Sequence, residues 1–157
     1  MSELLQAIYR GDQARADELL AAGPELDVFE AAAVGRTERL RELLDDDPSL
    51  ANAWADDGFQ PLGLASFFGH VDAARLLIER GAEVNSASRN DFKVMPLHSA
   101  VADKDPETSY ELAKLLLEHG ADPNARQQDD FTPLMAADQN DDERLRALLV
   151  EHGAATD

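Results

Sequence analysis

The sequence contains no cysteine in its 157 residues, so disulfide bridges and thiolate metal sites are excluded. Histidine is also scarce, with four residues and no pair at the spacing of a zinc-binding HExxH helix. No segment matches a phosphate-binding glycine loop, a dinucleotide fingerprint or the GxSxG turn of a serine hydrolase. The sequence therefore predicts no metal, no cofactor and no catalytic residues, and we expect that the protein is not an enzyme.

Lysine and arginine are also few in comparison with the acidic residues. Fourteen lysines and arginines stand against 32 aspartates and glutamates, which gives a net charge of −18. Such a chain repels nucleic-acid phosphates and anionic membranes and attracts basic partners. The N-terminus lacks the basic and apolar regions of a secretory signal, and no apolar run approaches the ~20 residues of a membrane span. We expect a cytoplasmic monomer that binds neither nucleic acid nor membrane.

Glycine recurs in this sequence at regular spacing. Four glycines each stand three residues after a pair of large apolar residues: Gly23, Gly81, Gly120 and Gly153. Asp47 occupies the same place after a fifth apolar pair. The preceding segments have apolar residues at helical period, and glycine readily ends a helix in the left-handed conformation. Aspartate tolerates that conformation too, so Asp47, followed by Pro48, is expected to end a helix in the same way.

A second glycine series lies twelve residues before the first and closes shorter, alanine-rich segments: Gly11, Gly35 and Gly69. Polar segments with turn residues such as Asp57-Gly58 separate the units. A proline follows three of these segments and suits the first position of the next short helix: Pro61, Pro96 and Pro133. The pattern predicts repeated units, each a turn, a short helix, a second turn and a longer helix.

The unit that contains Pro96 departs from the others. Its preceding turn is two residues longer than the turn before Pro133, and four extra residues fall in the segment ADKDPETSY between its two helices. Stacked repeats tolerate loop insertions, which often lie on the binding face. We expect the four residues to form such a loop.

Five segments carry a family resemblance. QPLGLASFFGH, MPLHSA and TPLMAA resemble the TPLHxA motif of the ankyrin repeat, and RLLIERGAEVN and KLLLEHGADPN resemble the end of its second helix. The resemblance implies an all-α solenoid of about five stacked helix–turn–helix units joined by β-hairpin-like turns. It divides a single domain, 1–157, into approximate units 1–26 (an N-terminal cap), 27–54, 55–88, 89–126 and 127–157 (a C-terminal cap).

The motif residues are incomplete. No unit contains both the threonine and the histidine of TPLH, since Thr132 and His98 lie in different units. Their usual hydrogen bonding is therefore expected to be missing or rebuilt. Asn85 and Asn124 match an asparagine near the end of the family's repeat, where side-chain hydrogen bonds are expected to stabilise the turn.

The resemblance also implies where a partner protein docks, namely on the concave face made by the inner (short) helices and the turn tips. The candidate binding residues at inner-helix positions are Val34, Phe67, Phe68, Asp103 and Gln139. Those at or near the turns are Trp54, Asp56, Asp57, Phe59, Phe92 and Phe131. Aromatic side chains are efficient interface anchors, and acidic rims steer basic partners. The hypothesis is an aromatic patch on the middle units framed by carboxylates.

Packing between units is the alternative role for each of these rings. Adjacent helical residues point about 100° apart, so one of Phe67 and Phe68 is open to burial. For Trp54, Phe92 and Phe131 packing is the favoured interpretation, because large aromatic side chains are usually mostly buried.

The sequence leaves three possible functions open. The leading one is a protein–protein interaction module that binds a partner protein, basic in character, on its concave face. The first alternative is an acidic decoy that masks a basic, nucleic-acid-binding protein surface, and the net charge motivates it. The second alternative is a stable repeat scaffold without a dedicated partner.

Overall fold

The computed structural model describes residues 1–102 and 105–156, and in these residues ten α-helices and no β-strand are found. The helices are α1 Glu3–Tyr9, α2 Gln13–Ala21, α3 Val28–Val34, α4 Thr37–Asp46, α5 Pro61–Phe67, α6 Val71–Glu79, α7 Pro96–Val101, α8 Pro106–Glu118, α9 Pro133–Gln139 and α10 Glu143–Glu151. Two short 3₁₀ helices span Pro48–Asn52 and Gln128–Asp130. The prediction of an all-α fold is confirmed.

The helices pair in chain order and the pairs stack. The shorter, inner helices α1, α3, α5, α7 and α9 contact their neighbours along one side of the stack, and the outer helices α4, α6, α8 and α10 do so along the other. Proline opens α5, α7 and α9, as the sequence predicts. The result is a helical solenoid in which the helix packing joins each unit to the units beside it.

The core consists mainly of alanine and leucine side chains, which are buried on different helices. Alanines of the inner helices, such as Ala31, Ala65 and Ala100, are completely buried, and their small side chains let neighbouring helices approach closely. The outer helices bury leucines, among them Leu77 and Leu116. Each fully buried leucine contributes about 1.5–3 kcal/mol relative to an exposed one, so the stack is held by apolar contact between units.

The predicted helix ends are confirmed with one exception. The glycines of both series have φ between 71° and 103°, which is the left-handed region. Asp47 instead has an extended backbone with φ −143°, and its carboxylate accepts a hydrogen bond from the Ser49 N–H at 3.1 Å. The left-handed conformation expected for Asp47 is therefore wrong, because the residue caps the following 3₁₀ helix. Asp141, at φ 52°, takes the place of glycine in the last unit.

The sequence analysis expected the four extra residues of the fourth unit to form a loop. In the structure they also lengthen a helix. Helix α8 has 13 residues whereas α6 and α10 have nine. The added length lies at the start of α8, where Asp105 caps the helix by accepting from the Glu107 N–H at 3.3 Å. The insertion thus extends the outer helix α8 at its start.

Three asparagines join the second to the fifth unit, one at each junction and in the same way. Asn85 donates from Nδ2 to the carbonyl oxygen of Gly120 at 2.9 Å and accepts at Oδ1 from the Asp122 N–H at 2.8 Å. Asn52 and Asn124 make the equivalent pairs of bonds at the same two distances. The hydrogen-bonding role expected for Asn85 and Asn124 is confirmed, and Asn52 is a third member that the motif comparison missed.

Replacing Asn85 by alanine should destabilise the chain. Both hydrogen bonds to the next unit are lost, and a net ~1–2 kcal/mol is expected because the bonds lie near the surface. Urea unfolding followed by circular dichroism measures the change. Asn140→Ala serves as the control, since the Asn140 side chain is exposed and forms no hydrogen bond to another described residue. Equal losses in the two variants would contradict the prediction.

Candidate functional site

The turns between units are closed hairpin-like loops. One backbone hydrogen bond spans each of them: Ala55 N to Phe59 O at 2.8 Å, Ser88 N to Val94 O at 2.8 Å, and Gln127 N to Phe131 O at 3.0 Å. The middle loop encloses two more residues than the others, which confirms the longer turn expected from the sequence. The prediction of hairpin-like connections without regular strands is consistent with this bonding.

Neighbouring turns are also bonded to each other. The Arg89 N–H donates to the Gly58 carbonyl at 2.8 Å, and the Gln128 N–H donates to the Phe92 carbonyl at 3.0 Å. Gly58 is buried at φ 90°, and a Cβ there would lie 2.4 Å from the Arg89 carbonyl oxygen. The position therefore requires glycine, and the tips form one continuous row.

A groove runs between this row of turns and the inner helices. Its apolar lining consists mainly of Tyr9, Phe59, Phe67, Phe92, Val94, Val101 and Phe131, and its volume is about 430 Å³. We call it the aromatic groove. Phe67 and Phe92 are 52% and 58% exposed, more than the other phenylalanines of the chain.

Phe68 supports the groove from behind. It is half-buried against the core, with its ring edge-on to Phe67 at 5.0 Å between centroids and 5.7 Å from Tyr9. Phe68 is therefore packed and Phe67 faces solvent. This agrees with the expectation that adjacent helical residues point in different directions. The packing interpretation is wrong for Phe92, which projects from the longer turn, whereas Trp54 and Phe131 are half-buried.

The remaining described candidate residues do not line the aromatic groove. Trp54, Asp56 and Asp57 line a separate cavity against the N-terminal helix, and the Arg89 guanidinium lies 3.9 Å over the Trp54 ring. Val34 lines another cavity between the first two units, together with Phe68. Gln139 is exposed at the end of α9, and Asp103 lies outside the described residues.

Tyr9 links the first helix to the first turn. Its hydroxyl donates to Oδ2 of Asp57 at 3.0 Å. Burial, together with the hydrogen bond and the charge of Asp57, raises the pKa of the Tyr9 hydroxyl. Tyr9 lines the groove together with Phe67, although the sequence analysis did not place it among the candidate binding residues.

His98 lies beneath the groove and is 4% exposed. Its Nδ1 accepts from the Met95 N–H at 3.1 Å, and its Nε2 donates to the Ala125 carbonyl at 2.9 Å. Burial is the main cause that lowers the pKa of His98, so the neutral form with the proton on Nε2 is favoured. The backbone of Met95 thus rebuilds the bond that the missing motif threonine makes.

Within residues 1–102 and 105–156, no three acidic or histidine side chains converge as metal ligands would. The helices in the same ranges are too short and too polar to cross a membrane.

The fold and this surface define a class, the helical repeat proteins that expose a groove between inner helices and turn tips. The chain belongs to the ankyrin repeat family. One family model, ankyrin repeats in many copies, matches residues 28–78, and a second, a single ankyrin repeat, matches residues 95–128, so that together they take in more than half of the chain. Ankyrin repeats generally mediate protein–protein interaction, and the family is typically non-catalytic.

Individual relatives match over parts of their length. Mouse "Ankyrin repeat and SAM domain-containing protein 6" is 36% identical over 59 residues, which are 38% of this chain and 7% of the relative. Arabidopsis thaliana "Serine/threonine-protein kinase VIK" is 41% identical over 61 residues, 39% of this chain and 14% of the kinase. Human "DNA-binding protein RFXANK" is 32% identical over 90 residues, 57% of this chain and 34% of the relative.

His98 should make stability depend on pH. Because the pKa of His98 is lowered in the folded state, the unfolded chain binds the proton more readily, and unfolding free energy falls as the pH drops below about 6.5. We expect His98→Leu to show a shallower loss between about pH 7 and pH 5. Urea titrations at several pH values measure the two slopes, and equal slopes would contradict the assignment.

Tyr9 should titrate above the ordinary tyrosine pKa of about 10. In a Tyr110→Phe background Tyr9 is the only tyrosine, so its ionisation can be followed by ultraviolet absorbance. Adding Asp57→Asn removes the negative charge and the carboxylate bond, and the midpoint should move down, while burial keeps it raised. A midpoint that Asp57→Asn leaves unchanged would show that the bond to Asp57 is absent in solution.

Proposed function

We propose that this chain binds a partner protein on its concave face, with the aromatic groove as the centre of the contact. The observation that carries the proposal is the exposure of Phe67 and Phe92 on the two sides of one apolar groove. Scattered exposed apolar residues are ordinary, but clustered ones mark interaction surfaces. Aromatic side chains are also enriched among the residues that contribute most to binding.

The stiffness of the surface supports the proposal. Hydrogen bonds join the first turn to the second and the second to the third, and Phe68 holds Phe67 from behind. A surface ordered before contact loses little conformational entropy on docking. Rigid complementarity therefore accounts for recognition without a folding step.

We also propose that residues 1–157 act as one domain with unit boundaries near residues 26, 54, 88 and 126. The helix pairs support this division, because each pair from α1–α2 to α9–α10 falls between consecutive boundaries.

Truncating the exposed ring tests the proposed function. Phe67→Ala should weaken binding of partners captured from a native extract by about tenfold or more, as for a central anchor. Folding should change little, because the removed ring is half in solvent. Val150→Ala is the matched control, since Val150 is an exposed apolar residue on the outer helix α10.

Capture on immobilised parent and variant chains, quantified by mass spectrometry, gives the comparison, and circular dichroism verifies that each variant is folded. Partners retained equally by the parent chain and by Phe67→Ala would refute a contact centred on the aromatic groove.

A further inference from the structure

We infer that the groove takes a partner segment with one large apolar side chain flanked on both sides by lysine or arginine. This inference rests on the proposed function and specifies the chemistry of the partner. It follows from two observations, the shape of the apolar lining and the distribution of charge along the turns.

The apolar lining forms a cleft and not a flat patch. Phe67 on α5 and Phe92 on the middle turn stand on opposite sides, and Val94, Val101 and Phe131 complete the wall. The volume of about 430 Å³ lies within the roughly 300–1,000 Å³ of clefts that enclose a single ligand. A cleft of this kind fits one protruding side chain better than a broad apolar face.

The turns beside the cleft carry uncompensated negative charge. Five carboxylates lie on them: Asp56, Asp57, Asp91, Asp129 and Asp130. The ion pairs between described residues all involve other acidic side chains, most of them on or beside helices away from these turns. The carboxylates of the turns thus have no cationic partner among the described residues.

Three cations on the same turns do not cancel this charge. Arg89 lies over the Trp54 ring, and Arg126 is directed to the main-chain oxygen of Asp130 at 3.5 Å. Lys93 is exposed. Five carboxylates against three cations leave the turns negative, in a chain whose net charge is −18. Basic residues beside the anchor are therefore attracted and acidic ones repelled.

A second copy of the chain is a poor occupant. It brings the same acidic turns and the same net charge, so that like charges face each other across the contact. A neutral apolar segment would fill the cleft but would bring no positive charge to pair with the carboxylates. The basic segment satisfies both features.

A peptide-display selection on the whole chain tests the inference without knowledge of the natural partner. Random short peptides are selected on the parent chain and counter-selected on Phe67→Ala, so that only groove-dependent binders survive. We expect survivors to contain tryptophan, phenylalanine or leucine with lysine or arginine on both sides. Their synthetic forms should lose about tenfold in affinity when the apolar residue is replaced by alanine.

Two variants with the same change of net charge distinguish the effect of the acidic turn residues, here called the rim, from the effect of the overall charge. The rim variant carries Asp56→Asn, Asp91→Asn, Asp129→Asn and Asp130→Asn, and it leaves the Asp57 bond to Tyr9 intact. The control carries Glu79→Gln, Glu111→Gln, Glu118→Gln and Glu151→Gln, the same change of charge on exposed outer-helix positions. The rim variant should lose several-fold more affinity than the control, and added salt should reduce the difference.

Three results would overturn the inference. Groove-dependent peptides without flanking basic residues would refute the charge preference, while the proposed docking on the groove would stand. Equal affinity of the rim variant and the control would do the same. A selection that yields no Phe67-dependent peptide, or a chain that dimerises through Phe67, would refute a peptide occupant, and the capture experiment would then judge the proposed function separately.

Discussion

The whole molecule depends on one contact, the apolar contact between each helix pair and the next. An isolated pair of these six- to thirteen-residue helices cannot cover its own alanine and leucine faces, and helices this short are marginal in water. Stacking buries Ala65 and Leu77 completely against neighbouring units. Since the helix packing joins each unit mainly to its neighbours, stability accumulates along the stack. Asparagines such as Asn85 fix the spacing by bonding to the Gly120 carbonyl and the Asp122 N–H of the next unit.

The concave face inherits its order from that stack. The inner helices present Tyr9 and Phe67 at equivalent positions, and the turns present Phe59, Phe92 and Phe131 from the other side. Backbone bonds between turn tips require the close approach that Gly58 permits. The same periodicity that folds the chain therefore lines up aromatic side chains from four separate units along one groove.

The sequence predicted the fold well because its signals are local and repeated. Proline at the start of α5, α7 and α9 and glycine at the helix ends act on their own backbone. The prediction for Asp47 is wrong because its carboxylate caps the 3₁₀ helix after it, and the spacing of the glycines carries no information about that cap. The candidate site was predicted only in part. The inner-helix position of Phe67 follows from the repeat pattern, but the exposure of Phe92 and the separation of Trp54 from the groove depend on contacts between units.

The long helix α8 shows how such an architecture accommodates a change in length. Its four additional residues extend it by about 6 Å along its own axis, at 1.5 Å per residue. The longer helix still packs against α6 on one side and α10 on the other. Arg144 of α10 covers the added turn by lying 3.7 Å over the Tyr110 ring and pairing with Glu107 at 2.6 Å. One unit has thus lengthened its outer helix while the stacking continues on both sides of it.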